Sequence, residues 1–243
     1  MARIERMDSQ RRNLRCTIWA AIFLAACGGR TARAQEPDAA AVIRGIDAAV
    51  HARYDNVLGF TDIEHYSVFR GDDETHPTAE MTVKDTYRKG VGKSYTMLSQ
   101  TGSAFVVRIG LNPFLENEKI INLPGNVERS WFTSANYEMK LKPGGIQKMD
   151  GRDCYAFAVT PKLKASNLIA GTLWVDAKTY SIARIEGIAS KNPSVFAGTT
   201  KMMRQYKDVN GFSMATHARA ESASVVGRIL VTIDYSDYQL QVR

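Results

Sequence analysis

The run RKGVGKS, from Arg88 to Ser94, has the lettering of the end of a phosphate-binding loop, in which backbone amides and a lysine hold a nucleotide's phosphates. The full pattern, G-x-x-x-x-G-K-[ST], needs glycine where this chain has Tyr87, and a helix where the residues after Ser94 read as a strand. The segment therefore reads as a glycine-rich hairpin connection carrying a solvated lysine. Two carboxylate pairs, Asp62 with Glu64 and Asp176 with Glu186, are of a type suited to general acid and base work. Both sit in strand-like runs, where carboxylates usually solvate a wet face, and that is the reading adopted. His51, His65, His76 and His217 show no metal-ligand spacing, and the acidic stretch from Gly71 to His76 lacks the graded spacing of a calcium loop. There is no G-x-S-x-G and no cysteine near a histidine in sequence, although catalytic triads converge in space rather than in sequence. These residue types lead to the expectation of a non-enzymatic protein with no cofactor and no metal.

The apolar residues offer another chemistry. Met81, Met97, Met139, Met149, Met202, Met203 and Met214 are spread over strand-like segments with Phe105, Trp131, Tyr155, Phe157 and Trp174. Methionine is flexible and polarisable, so a lining rich in it adapts to ligands of varied shape, acyl chains among them. The plainer alternative is that these side chains fill the core of a large sheet. With the dry faces of the alternating runs taken as inward, the candidate lining is Met81, Val83, Tyr95, Met97, Met139, Leu141, Tyr155, Phe157, Leu173 and Val175.

These residues must be positioned by regular elements, and the pattern names them. Pro37 suits the first turn of a helix, and Val42, Ile46, Ala49, Val50 and Tyr54 recur at helical spacing before Gly59. The period then changes to two: Met81, Val83 and Tyr87 alternate with Glu80, Thr82, Lys84 and Arg88, and Tyr137, Met139 and Leu141 with Glu138, Lys140 and Lys142. Further strands are expected over 60–69, 94–100, 104–109, 168–176, 180–189 and 225–238. Asp150-Gly151 and Asn210-Gly211 divide apolar runs at two tight hairpins. The stretch 111–136 breaks the alternation and carries a short helix between Pro113 and Leu123. The expected fold is mainly β (α+β), a single curved antiparallel sheet or open half-barrel of about nine to eleven strands with an N-terminal helix and a short helical lid. A sheet of that width curls to protect its edges and encloses an apolar concavity.

The first residues address the compartment. Arg11, Arg12 and Arg15 precede an unbroken apolar run from Thr17 to Ala26, too short to span a bilayer and of the length of a secretory signal. Ala32-Arg33-Ala34 offers cleavage before Gln35, and Leu24-Ala25-Ala26-Cys27 reads as a lipobox in which Cys27 would take the lipid anchor. The expected organisation is a signal peptide over 1–34, or 1–26 in the lipoprotein case, and one ligand-binding domain over 35–243. Residues 1–34 hold seven arginines against Glu5 and Asp8, so the formal charge of +7 falls to about +2 without them, and the case for nucleic acid as a partner goes with it. With Cys16 and Cys27 in the leader, Cys154 is the one cysteine left for the domain, which excludes a disulfide framework and suits a small buried hydrophobe.

The run GTLWVDAKTYSIARIEG, Gly171 to Gly187, resembles the LolA/LolB-type lipoprotein carrier superfamily in its aromatic-valine-aspartate step, threonine turn and return strand. DGRDCYAFAVTPK, Asp150 to Lys162, is similar to the strand before it in that family, and YKDVNGFSMAT, Tyr206 to Thr216, to the hairpin after it, with Ala215 where a proline often stands. The resemblance implies an open half-barrel with a helical lid that holds the acyl chains of lipoproteins or other lipids, without catalysis or cofactor. It also implies a lid-closing arginine, for which the N-terminal helix offers Arg44 and Arg53. The implied partners are lipid or lipoprotein acyl chains and envelope transport proteins, and the place is the periplasm, free or anchored at the outer membrane. Two rival functions remain at this point: an envelope interaction module with a filled core and an exposed edge strand, and an envelope hydrolase with titratable groups converging in its cavity.

Overall fold

The computed structural model describes residues 37–192, 197–224 and 227–243; the signal and lipid-anchor readings, with Cys16, Cys27, Ala34 and Gln35, lie outside them. Helix α1 (Ala39–Asn56) starts where the Asp38 side chain accepts a hydrogen bond from the Ala40 amide, and it buries Val42 and Ile46, one turn apart. It runs directly into β1 (Val57–Arg70), followed by β2 (Ala79–Arg88) and β3 (Gly92–Gly102). A helical stretch comes next, α2 (Ala104–Val106) passing through a π-helical turn (Val107–Leu111) into α3 (Asn112–Ile121), and a 3-10 turn spans Val127–Ser130. The rest is a meander of β4 (Tyr137–Met149), β5 (Arg152–Pro161), β6 (Ile169–Asp176), β7 (Ile182–Ala189), β8 (Ala197–Val209), β9 (Phe212–Ser224) and β10 (Gly227–Val242).

All ten strands join one antiparallel sheet in the order β3-β2-β1-β10-β9-β8-β7-β6-β5-β4, curved and not closed into a barrel. Both expected hairpins are present, with Asp150 and Gly151 at φ 49° and 79° and Asn210 and Gly211 at 54° and 86°, the paired positive angles of a type I′ turn. The strand expected over 104–109 is helical instead. Gly102, at φ 83°, ends β3; the Ser103 hydroxyl accepts from the Val106 amide and opens the helix; and Val107, Leu111 and Leu115, spaced four apart, are all buried by it.

The inner face of the sheet carries two apolar cores, each capped by a helix. Under α1, Val42 and Ile46 pack with Phe157, Leu173, Val175 and Ile185 of β5 to β7. Under the second helical stretch, Val107, Leu111 and Leu115 pack with Tyr66, Met81, Val83 and Ile233 of β1, β2 and β10. Cys154 is buried on the opposite face against Ala156, Trp174 and Ala183, and its thiol is pushed up to about 11, chiefly by burial, as suits an inert hydrophobe.

Candidate functional site

Between the two helical caps the inner face is left uncovered by core, and a cavity of about 410 Å³ opens there, within the range of about 300–1,000 Å³ usual for small-molecule sites. Helix α1 contributes Ala49, Val50, Arg53 and Tyr54 to its wall, α3 contributes Glu118 and Ile121, and Trp131 and Phe132 follow the 3-10 turn. The sheet supplies Phe60, Tyr87, Met214 and Tyr238 among others. Aromatic contacts stiffen two sides. Trp131 lies 4.6 Å from the Tyr54 ring and 5.2 Å from that of His51, while Phe60 is stacked on Tyr87 at 5.1 Å and tilted against Tyr238 at 5.8 Å. The Tyr238 hydroxyl donates to the Ala215 carbonyl at 2.9 Å, which fixes the ring and leaves its apolar body to the cavity. Asp47 ties α1 to the segment before β4 by accepting from the Ser134 amide at 2.7 Å and from its hydroxyl at 2.5 Å.

A polar band crosses the inner face at the cavity, from Lys93 on β3 through Asp85, Asp62 and Glu64 to Tyr235 on β10 and Arg204 on β8, and Lys93, Tyr235 and Arg204 line the space itself. The register creates it: Asp62 stands directly opposite Asp85, and Glu64 opposite Tyr235. The Lys93 ammonium lies 2.8 Å from Asp85 and 3.0 Å from Glu64, and the Tyr66 hydroxyl donates to the other oxygen of Glu64. Burial opposes the lysine's charge, but Glu64, Tyr95 and Asp85 outweigh it and hold Lys93 above the ordinary lysine range. Asp62 is pushed up to about 8, chiefly by burial and against the pull of Lys93, so at neutral pH it keeps a proton and can donate it to Asp85. Carboxylate oxygens of Asp62, Glu64 and Asp85 lie within 4.8 Å of one another, a spacing that would suit a metal ion. The Lys93 ammonium already supplies the cation among them, and the group reads as an internal ion network.

This band corrects two expectations. Lys93 belongs to a hairpin arm as expected, with Arg88 paired to Gly92 across the turn, but it is not solvated: its side chain is 9% exposed. Asp62 and Glu64 are not on a wet face, each being 1% exposed. Asp62 and Glu64 share parity with Phe60, Tyr66 and Val68 on a β1 that keeps unbroken register with β2, and that run held the signal for it. Asp176 and Glu186 stay apart: Asp176 caps its own turn through the Lys178 and Thr179 amides, and Glu186 pairs with Arg184 at 2.7 Å.

None of the ten residues expected as lining borders the cavity. Phe157, Leu173 and Val175 are buried in the core under α1, with Met139, Leu141 and Tyr155 packed against it; Met81 and Val83 lie in the other core with Tyr95 beside it; Met97 is exposed on edge strand β3. Of the seven methionines singled out, Met214 reaches the cavity. Arg53 also lines it, its Nε 3.5 Å from the Met214 sulfur, whereas Arg44 is exposed near Asp38. Trp131, singled out with the methionines, lines it as well; the residues missed are aromatic and cationic: Tyr54, Phe60, Tyr87, Arg204 and Tyr238.

No family model matches the chain, and no curated protein does either. Among solved structures it is similar to a LolA superfamily protein of Nitrosomonas europaea, with 14% identity and a TM-score of 0.44 over 84% of this chain and 93% of that one. It is also similar to a DUF1329 family protein of Desulfovibrio piger, at 18% identity and a TM-score of 0.43 over 82% and 93%. A structure from Vibrio parahaemolyticus named for outer membrane lipoprotein sorting gives 15% identity and a TM-score of 0.44 over 81% and 91%.

Proposed function

We propose that this protein is a non-enzymatic carrier that takes one lipid-like amphiphile into the cavity between α1 and α3. The observation that carries the reading is the cavity itself: a space of about 410 Å³ walled by Tyr54, Trp131, Phe132, Phe60 and Met214 and left open between two packed cores. Each methylene buried there contributes about 0.8 kcal/mol. The interaction-module alternative expects a filled core and loses support. The hydrolase alternative expects titratable groups in the cavity, and Lys93, Glu118, Arg204 and Asp208 do line it; against a nucleophile among them, no histidine or cysteine of the described residues lines it, Lys93 is held by Asp85 and Glu64, Ser213 donates to the Ile182 carbonyl at 2.6 Å, and Ser130 accepts from Asn167 at 3.0 Å. With the leader read from residues 11–34, the place of action is the bacterial envelope, where cleavage before Gln35 gives a soluble shuttle and lipidation of Cys27 an anchored acceptor. Intact mass of the mature N-terminus separates those two forms.

The test is direct. Purified protein should carry lipid visible by mass spectrometry, bind a fluorescent fatty-acid probe with a stoichiometry of one, and show Trp131 emission quenched by a brominated fatty acid. Absence of both co-purifying lipid and probe binding overturns the proposal.

A further inference from the structure

The cations around the cavity are not equivalent. Lys93 is held by two carboxylates. Outside the cavity, Arg219 and Arg228 share Glu74 and Glu221, and Arg184 pairs with Glu186. Two cavity arginines have no carboxylate of a described residue within ion-pair distance: Arg53 on α1, whose Nε lies 3.5 Å from the Met214 sulfur, and Arg204, which sits in the middle of the sheet, opposite Ile185 of β7 and Ala218 of β9 and in line with the polar band. Arg204 is the one set among hydroxyls. Its electrostatic neighbours are Tyr206, Tyr235 and, further off, Glu118, and all four residues line the cavity. A partly buried guanidinium with no carboxylate against it is a poorly compensated charge, and it stays protonated under any ordinary condition. Its planar fork of donors is shaped for two oxygens of one carboxylate or phosphate.

We propose that Arg204 is the anchor for the oxyanion of the cargo, so that the protein selects anionic amphiphiles, with the head group on Arg204, Tyr206 and Tyr235 and the chain along the aromatic wall of Trp131, Tyr54 and Phe60. The proposal rests on the carrier reading and deepens it. Glu118 sets the balance: it offsets Arg204 when the site is empty and repels the arriving anion. The chemistry is shared by a fatty-acid carboxylate and a lipid phosphate, so the ligand panel has to separate them.

Displacement of a fluorescent fatty-acid probe at pH 7.4 by dodecanoate, dodecyl phosphate, dodecanol and dodecyltrimethylammonium provides that panel. The wild type should prefer at least one of the two anions to dodecanol by about 10- to 100-fold, the gain expected of a charge-assisted pair. The anion that binds tighter names the source. Arg204→Met should erase the preference without weakening dodecanol, Arg204→Lys should keep part of it, and Glu118→Gln should widen it. Equal binding of dodecanol and both anions by the wild type overturns the anchor while leaving the carrier standing, and so does a preference that survives in Arg204→Met. If no ligand of the panel binds, the carrier reading falls and the anchor with it. The wild-type ranking and Glu118→Gln keep the test decisive if Arg204→Met does not fold.

Discussion

Asp62 and Asp85 face each other across the β1–β2 ladder, a pairing of like charges that would be repulsive were both ionised. The molecule resolves it with a proton. Because burial pushes Asp62 up from 3.8 to about 8, the folded state holds a proton that the unfolded chain releases, and the stability this group contributes is present in acid and lost as pH rises through about 8. Asp62→Asn keeps the shape and removes the titration. Its gain in melting temperature over wild type should grow between about pH 4 and about pH 8 and level off above, in melts recorded across that range. Lys93→Met leaves Asp85 and Glu64 buried without their cation and should cost about 3–5 kcal/mol in urea denaturation at pH 7. At this scale the sequence was legible for Cys154 and for the turn residues, whose roles are local. It was not legible for Lys93, because a lysine after two glycines reads as solvated until three strands are seen to bring carboxylates to it.

Helix α1 is held by close approach as much as by its apolar stripe. A Cβ at Gly45 would stand 2.5 Å from Tyr180 Cδ2, so the helix lies against the face of a ring that is itself held at φ 56°. Alanine at a helical position ordinarily gains up to about 1 kcal/mol over glycine. Here overpacking should win, and Gly45→Ala should destabilise by about 1–3 kcal/mol net, with faster hydrogen exchange in α1 than in β5 or β6. The period of each element could be read in advance: α1, α3, both type I′ hairpins and most strands follow from spacing alone. The segment after β3 could not be read so easily, since Ala104-Phe105-Val106-Val107 is rich in strand formers, and the deciding facts are the Ser103 cap and three buried residues at helical spacing. Tertiary demand for a cap over Met81 and Val83 overrode local preference.

For the whole molecule, the number of strands and the open curve were within reach of the sequence, because alternation and turn signals count strands. The cavity was not. Its walls come from α1, α3, the 3-10 turn and both arms of the sheet, and the dry-face residues chosen by alternation, except the exposed Met97, went into or against the two flanking cores. Occupation of the cavity should stabilise the whole fold by mass action, about 2.7 kcal/mol at a ligand concentration a hundredfold above Kd, seen as a rise in melting temperature with dodecanoate that Met214→Trp, which fills the space, abolishes. On the other face, Glu74 and Glu221 are each drawn down to about 2, first by hydrogen bonds from Arg219 and Arg228. Their contribution is present above the ordinary glutamate range and is lost as pH falls through about 2. Together with Asp62, these groups place the maximum of stability in mild acid, which a melting-temperature profile from pH 3 to 9 would check.

The sheet order has a kinetic consequence. Every neighbouring pair of strands is consecutive along the chain except one: β1 pairs with β10, so Phe60 meets Leu240 and Tyr66 meets Ile233. That ladder closes a loop of nearly the whole domain and lies inside the sheet, where the core under α3 needs Ile233 to be complete. Contacts so distant along the chain form slowly, since the entropy of closure is spent before they repay it. Until the sixteen-residue β10 docks, β1 of the N-terminal hairpins is left as a bare edge, and the pairing of β10 with it sets the moment at which the sheet can complete its fold.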